Sequence, residues 1–581
     1  MSRAPAASAA SLSEAAARSA ALILDAFLDY DGRFADITRR AQRHFERRNW
    51  RQAQLDTGAR IDLYDDCIRE TLGRLEGLLD ERVRSRPLWA AMREAYAERV
   101  APQPDRELAK TWFNTLSRRY FQTRGVDPLI EFVALGADPL AGQGEPASLR
   151  RYALGDGLEA ACRQILADLP FTRRLLEPGR SAHAMAGELA ERGMEDGRAL
   201  VALEFLDPLF YRERRAYRVG RAVTAGGQAS PLVIALVSEE AGLRVDAVLT
   251  NLNQVSLLFG YARNAFHADL AGVTAVVAFL ARLMPHKPVG EIFTVLGRIK
   301  QGKTERYRRS FRHLAEHPEE RLVLAPGQRG MVMLVFTPRH DQVVFKLIRD
   351  RFAWPKDTSR RAIEAKYRLV LRYDRVGRLV DTQEFRDLRF PLVQVDAQLL
   401  AALQADCSAT IALEGEQLLI RHCYVQRRLR PLDLYTREMP FDDALRAVLD
   451  YGQAIEDLAR SGIFPGDLLL KNFGASRIGR AVFYDYDELC LVEDCRFRRI
   501  PPARVEDELR PLEEWLSVGV NDVFPELFPR FLGLAPALRE ALVATHPQIF
   551  DPDWWQALRA RFLRGEYGDV PPYPASARLP G

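Results

Sequence analysis

The sequence predicts an α+β protein in two parts: a mainly helical first half carrying a small sheet, then a second half in which short strands precede helices. Three observations predict it. Apolar residues recur at three- and four-residue steps through most of the first 200 positions. A short stretch between Leu203 and Thr250 changes to apolar runs and alternation. Beyond Arg321, β-branched and aromatic runs come first and helical periodicity returns only at Asp442. With 581 residues the chain is too long for one hydrophobic core. We therefore expect a boundary near 314/315, dividing domain 1–314 from domain 315–581.

The helical half opens with Leu22, Ile23, Ala26 and Phe27, and a second segment carries Leu63, Cys67, Ile68, Leu72, Leu75 and Leu78 on one period. Glycine and proline gather at 136–146, where we expect a linker or long loop. Pro231–Val237 and Leu243–Leu249 read as strands, followed by helical spacing from Val255 to Leu283. In the second half, Gly330–Thr337 and Val343–Ile348 flank a polar turn and predict a hairpin. Helices are expected over Asp442–Arg460 and from Val505 onward.

Composition narrows the function. The 83 basic and 79 acidic residues nearly cancel to a net charge of +4, so no concentrated basic face argues for a nucleic-acid partner. The longest apolar run, Leu270–Ala281, is far short of the roughly 20 residues a membrane-spanning helix needs. The six cysteines are scattered, which suits a reducing compartment, and we expect a cytoplasmic protein without a membrane segment. Neither Cys490 and Cys495 nor His313 and His317 has the further ligands a zinc site requires.

Two nucleotide-binding patterns compete. Gly297–Thr304 (GRIKQGKT) satisfies the P-loop pattern, with Glu291–Leu296 as its preceding strand. The helix that would follow is strongly polar, and no alternating strand–helix series surrounds it. The spacing is better explained as a turn between helices near a domain boundary. The second pattern spans about 160 residues and follows the order of a protein kinase. Ala325, Pro326, Gly327, Gln328, Arg329, Gly330 and Met331 precede the hairpin as a phosphate-covering loop. Lys346 lies mid-strand between apolar neighbours, where a charge needs a partner such as phosphate. Asp467 and Asn472 reproduce the spacing between catalytic base and metal-binding asparagine, and Asp485 ends an apolar strand where the metal-binding aspartate belongs.

The pattern departs from ordinary kinases. Phe464-Pro465-Gly466 replaces His-Arg before Asp467, Leu469 stands where a lysine is usual, and Tyr486-Asp487 follows Asp485 in place of Phe-Gly. The residues leave open a kinase-fold small-molecule phosphotransferase or nucleotidyl transferase, or a catalytically dead nucleotide-binding regulator. Glu364 and Glu384 are candidates to pair with Lys346.

Several strings resemble bacterial isocitrate dehydrogenase kinase/phosphatases: Ala325–Met331, Phe345-Lys346, Asp374–Arg378, Asp381–Phe385, Pro465-Gly466-Asp467, Lys471–Gly474 and Asp485–Glu488, with Trp112-Phe113-Asn114 and Gly302–Glu305 in the first half. The resemblance implies a bilobal protein-kinase-like catalytic domain preceded by a helical regulatory domain. It implies a bifunctional enzyme that phosphorylates isocitrate dehydrogenase on serine and removes that phosphate, directing carbon between the citric acid cycle and the glyoxylate bypass. It further implies ATP (ADP for the phosphatase reaction) with Mg2+ or Mn2+, AMP as an allosteric effector, and isocitrate dehydrogenase as partner; a homodimer is left open. By position, residues 325–331 and Lys346 bind nucleotide, Asp467 serves phosphoryl transfer, and Asn472 and Asp485 hold metal. Asp381 and Asp487 are the carboxylates linked to dephosphorylation.

Overall fold

A computed structural model of the protein describes residues 4–140, 146–195, 199–260, 265–354, 356, 358–373, 375–501, 517–519 and 521–580. Two compact units divide the chain, one built on Met1–Gly260, Asn264–Pro318 and Tyr573–Gly581, the other on Glu319–Pro572.

The first unit begins with long helices, Ala4–Arg47 and Trp50–Leu79, followed by Arg86–Val100 and Arg106–Phe121. Ile23, Phe27, Tyr30 and Phe34 fall on one face of the first helix and are buried. Tyr30 stacks on Trp112 with ring centroids 5.1 Å apart, and Tyr64 meets the same indole edge-on at 5.0 Å. Asn49 separates the first two helices and caps the second, its side chain accepting from Gln52 N.

The sheet of this unit is larger than the two strands the sequence suggested. Leu149–Ala153, Leu200–Leu206, Arg215–Thr224, Ala229–Ser238 and Leu243–Leu249 run antiparallel in that order, and Phe210–Arg212 pairs with Arg215–Thr224. Leu149–Ala153 lies inside the region expected to be helical; its charged residues hid the strand pattern. Tyr573 of the C-terminal tail closes a buried cluster on this sheet, donating to Asp246 at 2.5 Å and accepting from Arg215 at 2.8 Å.

The P-loop pattern is not a P-loop. Its presumed strand is the helix Val289–Val295, and Ile299–Glu316 is already helical through the would-be phosphate loop. A Cβ on Gly302 would sit 2.1 Å from Thr294 Oγ1 and 2.5 Å from Gly290 O, so this glycine lets two helices touch.

The second unit carries the predicted hairpin, with strands Met333–Pro338 and Val343–Ile348 paired antiparallel. The sheet runs Thr382–Pro391, Gln417–Arg427, Val343–Ile348, Met333–Pro338, Leu322–Leu324, with Ile411–Glu414 added on Gln417–Arg427. Helix Arg360–Tyr373 packs Ile363, Tyr367 and Val370 inward. Beyond the sheet the chain is mostly helical, centred on Phe441–Arg460, whose Ala444, Ala447, Val448, Tyr451, Ile455 and Leu458 form one buried stripe. Helices Pro536–Thr545 and Pro552–Leu563 pack onto the same core. A strand-rich lobe followed by a helical lobe is the bilobal arrangement expected from the sequence. The stretch 502–516 of the expected C-terminal helical region, and Asp374, lie outside the described residues. Among the described residues no helix is long and apolar enough to cross a membrane.

Candidate active site

Three strand pairings bring the sequence-distant residues of the second unit together. Lys346 lies opposite Val335 and Tyr424 in the sheet and is only 3% exposed. Its Nζ donates to Tyr484 O at 2.8 Å and lies 4.9 Å from the centre of the Tyr484 ring. Burial pushes its pKa down, opposed by the negative charges of Asp485 and Asp487. Short strands Phe473–Ala475 and Ala481–Phe483 pair antiparallel and hold the Asn472 segment beside the Asp485 segment, where Tyr484 N donates to Asn472 O at 3.1 Å.

Asp467 follows Gly466, whose φ of +91° suits only glycine and whose Cβ would meet the Glu488 Cβ at 2.4 Å. That requirement explains Gly466 in place of the usual arginine before the aspartate. Asn472 is buried, and its Nδ2 donates to the Asp467 carboxylate, fixing it at the spacing anticipated. Asp467 faces solvent through the cleft, and protein crowding on its other sides raises its pKa. Asp485 is pushed up to about 7, chiefly by burial and then by Asp487, against the pull of Lys346.

These groups line one cavity of about 650 Å³. Every residue from Ala325 to Met331 contributes to its wall, as do Lys346, Asp467, Asn472, Asp485 and Asp487. A chamber of this size, with a glycine-bearing loop, a buried lysine and clustered carboxylates, suits a nucleotide with its phosphates. Asp381 is not among the lining residues. It precedes strand Thr382–Pro391, with its Oδ2 accepting from Gln383 Nε2 at 3.2 Å, and neighbouring Val380 N donates to Phe483 O at 3.1 Å. Asp381 thus follows a residue bonded to the Asp485 strand and lies outside the cavity lining.

Comparison with known proteins resolves the family. Residues 320–575 match the isocitrate dehydrogenase kinase/phosphatase (AceK) kinase domain, and residues 20–318 match its regulatory domain. The chain belongs to the isocitrate dehydrogenase kinase/phosphatase family. It is 48% identical over 562 residues to the isocitrate dehydrogenase kinase/phosphatase of Xanthomonas euvesicatoria, covering 96% of each chain. It is 42% identical over 568 residues to the one of Anaeromyxobacter sp., covering 97% of this chain and 98% of the relative.

Family membership implies nucleotide and metal, and the donor set fits a hard cation. Asp485 and Asp487 both line the cavity and Asp487 raises the pKa of Asp485, so a cation there would relieve two crowded carboxylates. Among the described residues no group of three or more His, Cys, Asp or Glu could hold a metal unaided. A cation held here would take the rest of its shell from outside these side chains, from phosphate oxygens and water.

The glutamate expected to pair with Lys346 does not appear among the described residues. Glu384 is committed to His422 at 3.2 Å and Arg386 at 2.8 Å, which hold its carboxyl down at about 2. Tyr367 of helix Arg360–Tyr373 instead stacks at 4.0 Å on Tyr424, the cross-strand neighbour of Lys346. Among the described residues, Asp485 and Asp487 supply the counter-charge of Lys346.

Sequence reasoning missed a supporting ion cluster. Arg378 is buried, with Nε donating to Asp457 at 2.8 Å and Nη1 to Asp450 at 2.6 Å and to Ala481 O at 3.1 Å. It thereby fastens helix Phe441–Arg460 to the strand that delivers Asp485. Arg378 stood in a recognised string, but its acceptors lie 72 and 79 residues away, so spacing offered no signal.

Proposed function

We propose that this chain is a protein serine kinase that phosphorylates isocitrate dehydrogenase from ATP and, as a phosphatase, removes the same phosphate. It thereby sets flux between the citric acid cycle and the glyoxylate bypass in the cytoplasm. The observation that carries the reading is the convergence of Lys346, Asp467, Asn472, Asp485 and Asp487 on one cavity beneath residues 325–331. Family membership along both units supports it.

The backbone of residues 325–331 covers the phosphates, and Lys346 binds their oxygens, exchanging its bond to Tyr484 O for a stronger charged partner. Asp467, oriented by Asn472, accepts the serine hydroxyl proton as the phosphoryl group arrives. Its raised pKa brings it nearer the range in which a base can take up that proton. Asn472 and Asp485 hold magnesium or manganese, which neutralises charge on the phosphates when bound. In the reverse reaction Asp487 orients water toward phosphoserine, ADP occupies the nucleotide site, and Asp381 supports the carboxylate strand from outside the cavity lining. AMP acts as effector.

The test is phosphate bookkeeping on purified isocitrate dehydrogenase. With magnesium-ATP the chain should add label to a serine, and with ADP it should release that label as inorganic phosphate. Absence of both, with ATP binding intact, overturns the reading.

A further inference from the structure

A second lysine reaches the carboxylate cluster from a segment the kinase pattern does not include. Lys356 lies between strand Val343–Ile348 and helix Arg360–Tyr373, and it lines the same cavity as Lys346 and Asp467. Its side chain is 16% exposed, its Nζ pairs with the Glu488 carboxylate, and it stands 3.5 Å from Asp487 Oδ2. The kinase position two residues after the base, where a lysine normally meets the transferring phosphoryl group, holds Leu469 here. Four carboxylates, Asp467, Asp485, Asp487 and Glu488, act on one another's ionisation within this corner, and phosphate would add further negative charge.

We propose that Lys356 is the catalytic cation of this site, leaving Glu488 to contact the transferring phosphoryl group from the loop before the helix. This rests on the phosphotransferase reading given above. Two observations favour Lys356. Its closer partner is Glu488, whose side chain is 39% exposed, so phosphate oxygens can replace that carboxylate without breaking the fold. Its charge also counters the upward shift of Asp467 ahead of that of Lys471, a third lysine on the cavity wall. The exchange of Glu488 for phosphate would make the lysine's engagement depend on a loaded site.

The decisive experiment is steady-state kinetics of the full chain on isocitrate dehydrogenase with magnesium-ATP, comparing wild type with Lys356→Met, Lys356→Gln, Lys356→Arg and Glu488→Gln. Removing one preorganised charge from a phosphoryl-transfer site typically costs about 100-fold or more in kcat. We expect that loss in Lys356→Met with KM for ATP changed less than about threefold, and partial recovery in Lys356→Arg. Lys356→Gln keeps a hydrogen bond to Glu488 without the charge and should fail like the methionine variant; it also carries the test if Lys356→Met does not fold. Glu488→Gln, which removes the charge of the closer resting partner and leaves Asp487 in place, should retain most of the wild-type kcat. Near-wild-type kcat in Lys356→Gln, or a loss in Glu488→Gln as deep as in Lys356→Met, would overturn the proposal by reducing Lys356 to a loop tether. Wild type that transfers no phosphate would overturn the underlying function itself, an outcome distinct from both.

Discussion

Replacing Asp485 by asparagine should stabilise the fold while abolishing phosphoryl transfer, and the stabilisation should grow with pH. The carboxyl is moved from its ordinary value of 3.8 to about 7 by burial and by Asp487. Because the folded-state value is raised, the native state holds a proton that the unfolded chain has released, so wild-type stability falls between about pH 4 and 7 and is flat above. A shift of this size costs the fold roughly 4 kcal/mol above pH 7 and roughly 1.5 kcal/mol at pH 5. Lys346 loses a counter-charge in the variant, which offsets part of that gain. The net advantage of Asp485→Asn at pH 8 over pH 5 should be roughly 2 kcal/mol, about 5 °C for a unit of this size. Thermal unfolding of both proteins at the two pH values, without nucleotide or divalent cation, measures it. An advantage that is absent at pH 8, or larger at pH 5, would refute the electrostatic account of the site. Magnesium-ATP should narrow the gap by stabilising only the wild type.

Other substitutions probe separate parts of the account. Lys346→Met should abolish phosphate transfer from ATP, whereas Lys303→Ala should leave kcat and KM within twofold, because its segment is a helix; label-transfer kinetics distinguish the two. Arg378→Met leaves Asp457 buried and Asp450 partly buried without their arginine and should cost about 3 kcal/mol, read by denaturant unfolding. Its loss should appear in stability before it appears in nucleotide affinity. Asp487→Asn and Asp381→Asn should each reduce phosphatase more than kinase activity, the former more deeply because it lines the cavity; parallel assays showing equal loss of both activities would contradict that division.

The elements with strong local signals were legible in the sequence. The hairpin carrying Lys346 and the amphipathic helix Phe441–Arg460 follow from alternation and helical spacing. The order and intervals of Asp467, Asn472 and Asp485 sufficed to bring them together, because they belong to one compact strand pair, and Lys346 on its hairpin completes the cavity. What stayed hidden depends on long-range packing. Arg378 meets carboxylates on a helix far along the chain, and Lys356 reaches Asp487 across more than a hundred residues. Tyr573 joins the Arg215–Asp246 cluster from the far end of the sequence. The strand Leu149–Ala153 was missed because its arginines obscure alternation, and Gly302 of GRIKQGKT serves helix contact rather than phosphate.

The most direct test of the central claim is phosphopeptide mapping of isocitrate dehydrogenase after incubation with magnesium-ATP and either wild type or Asp467→Asn. The account predicts one phosphoserine with wild type and at least a hundredfold less with the variant, whose nucleotide binding should be intact. Equal phosphorylation by the variant would contradict the assignment of Asp467, and no phosphoserine with wild type would contradict the kinase itself.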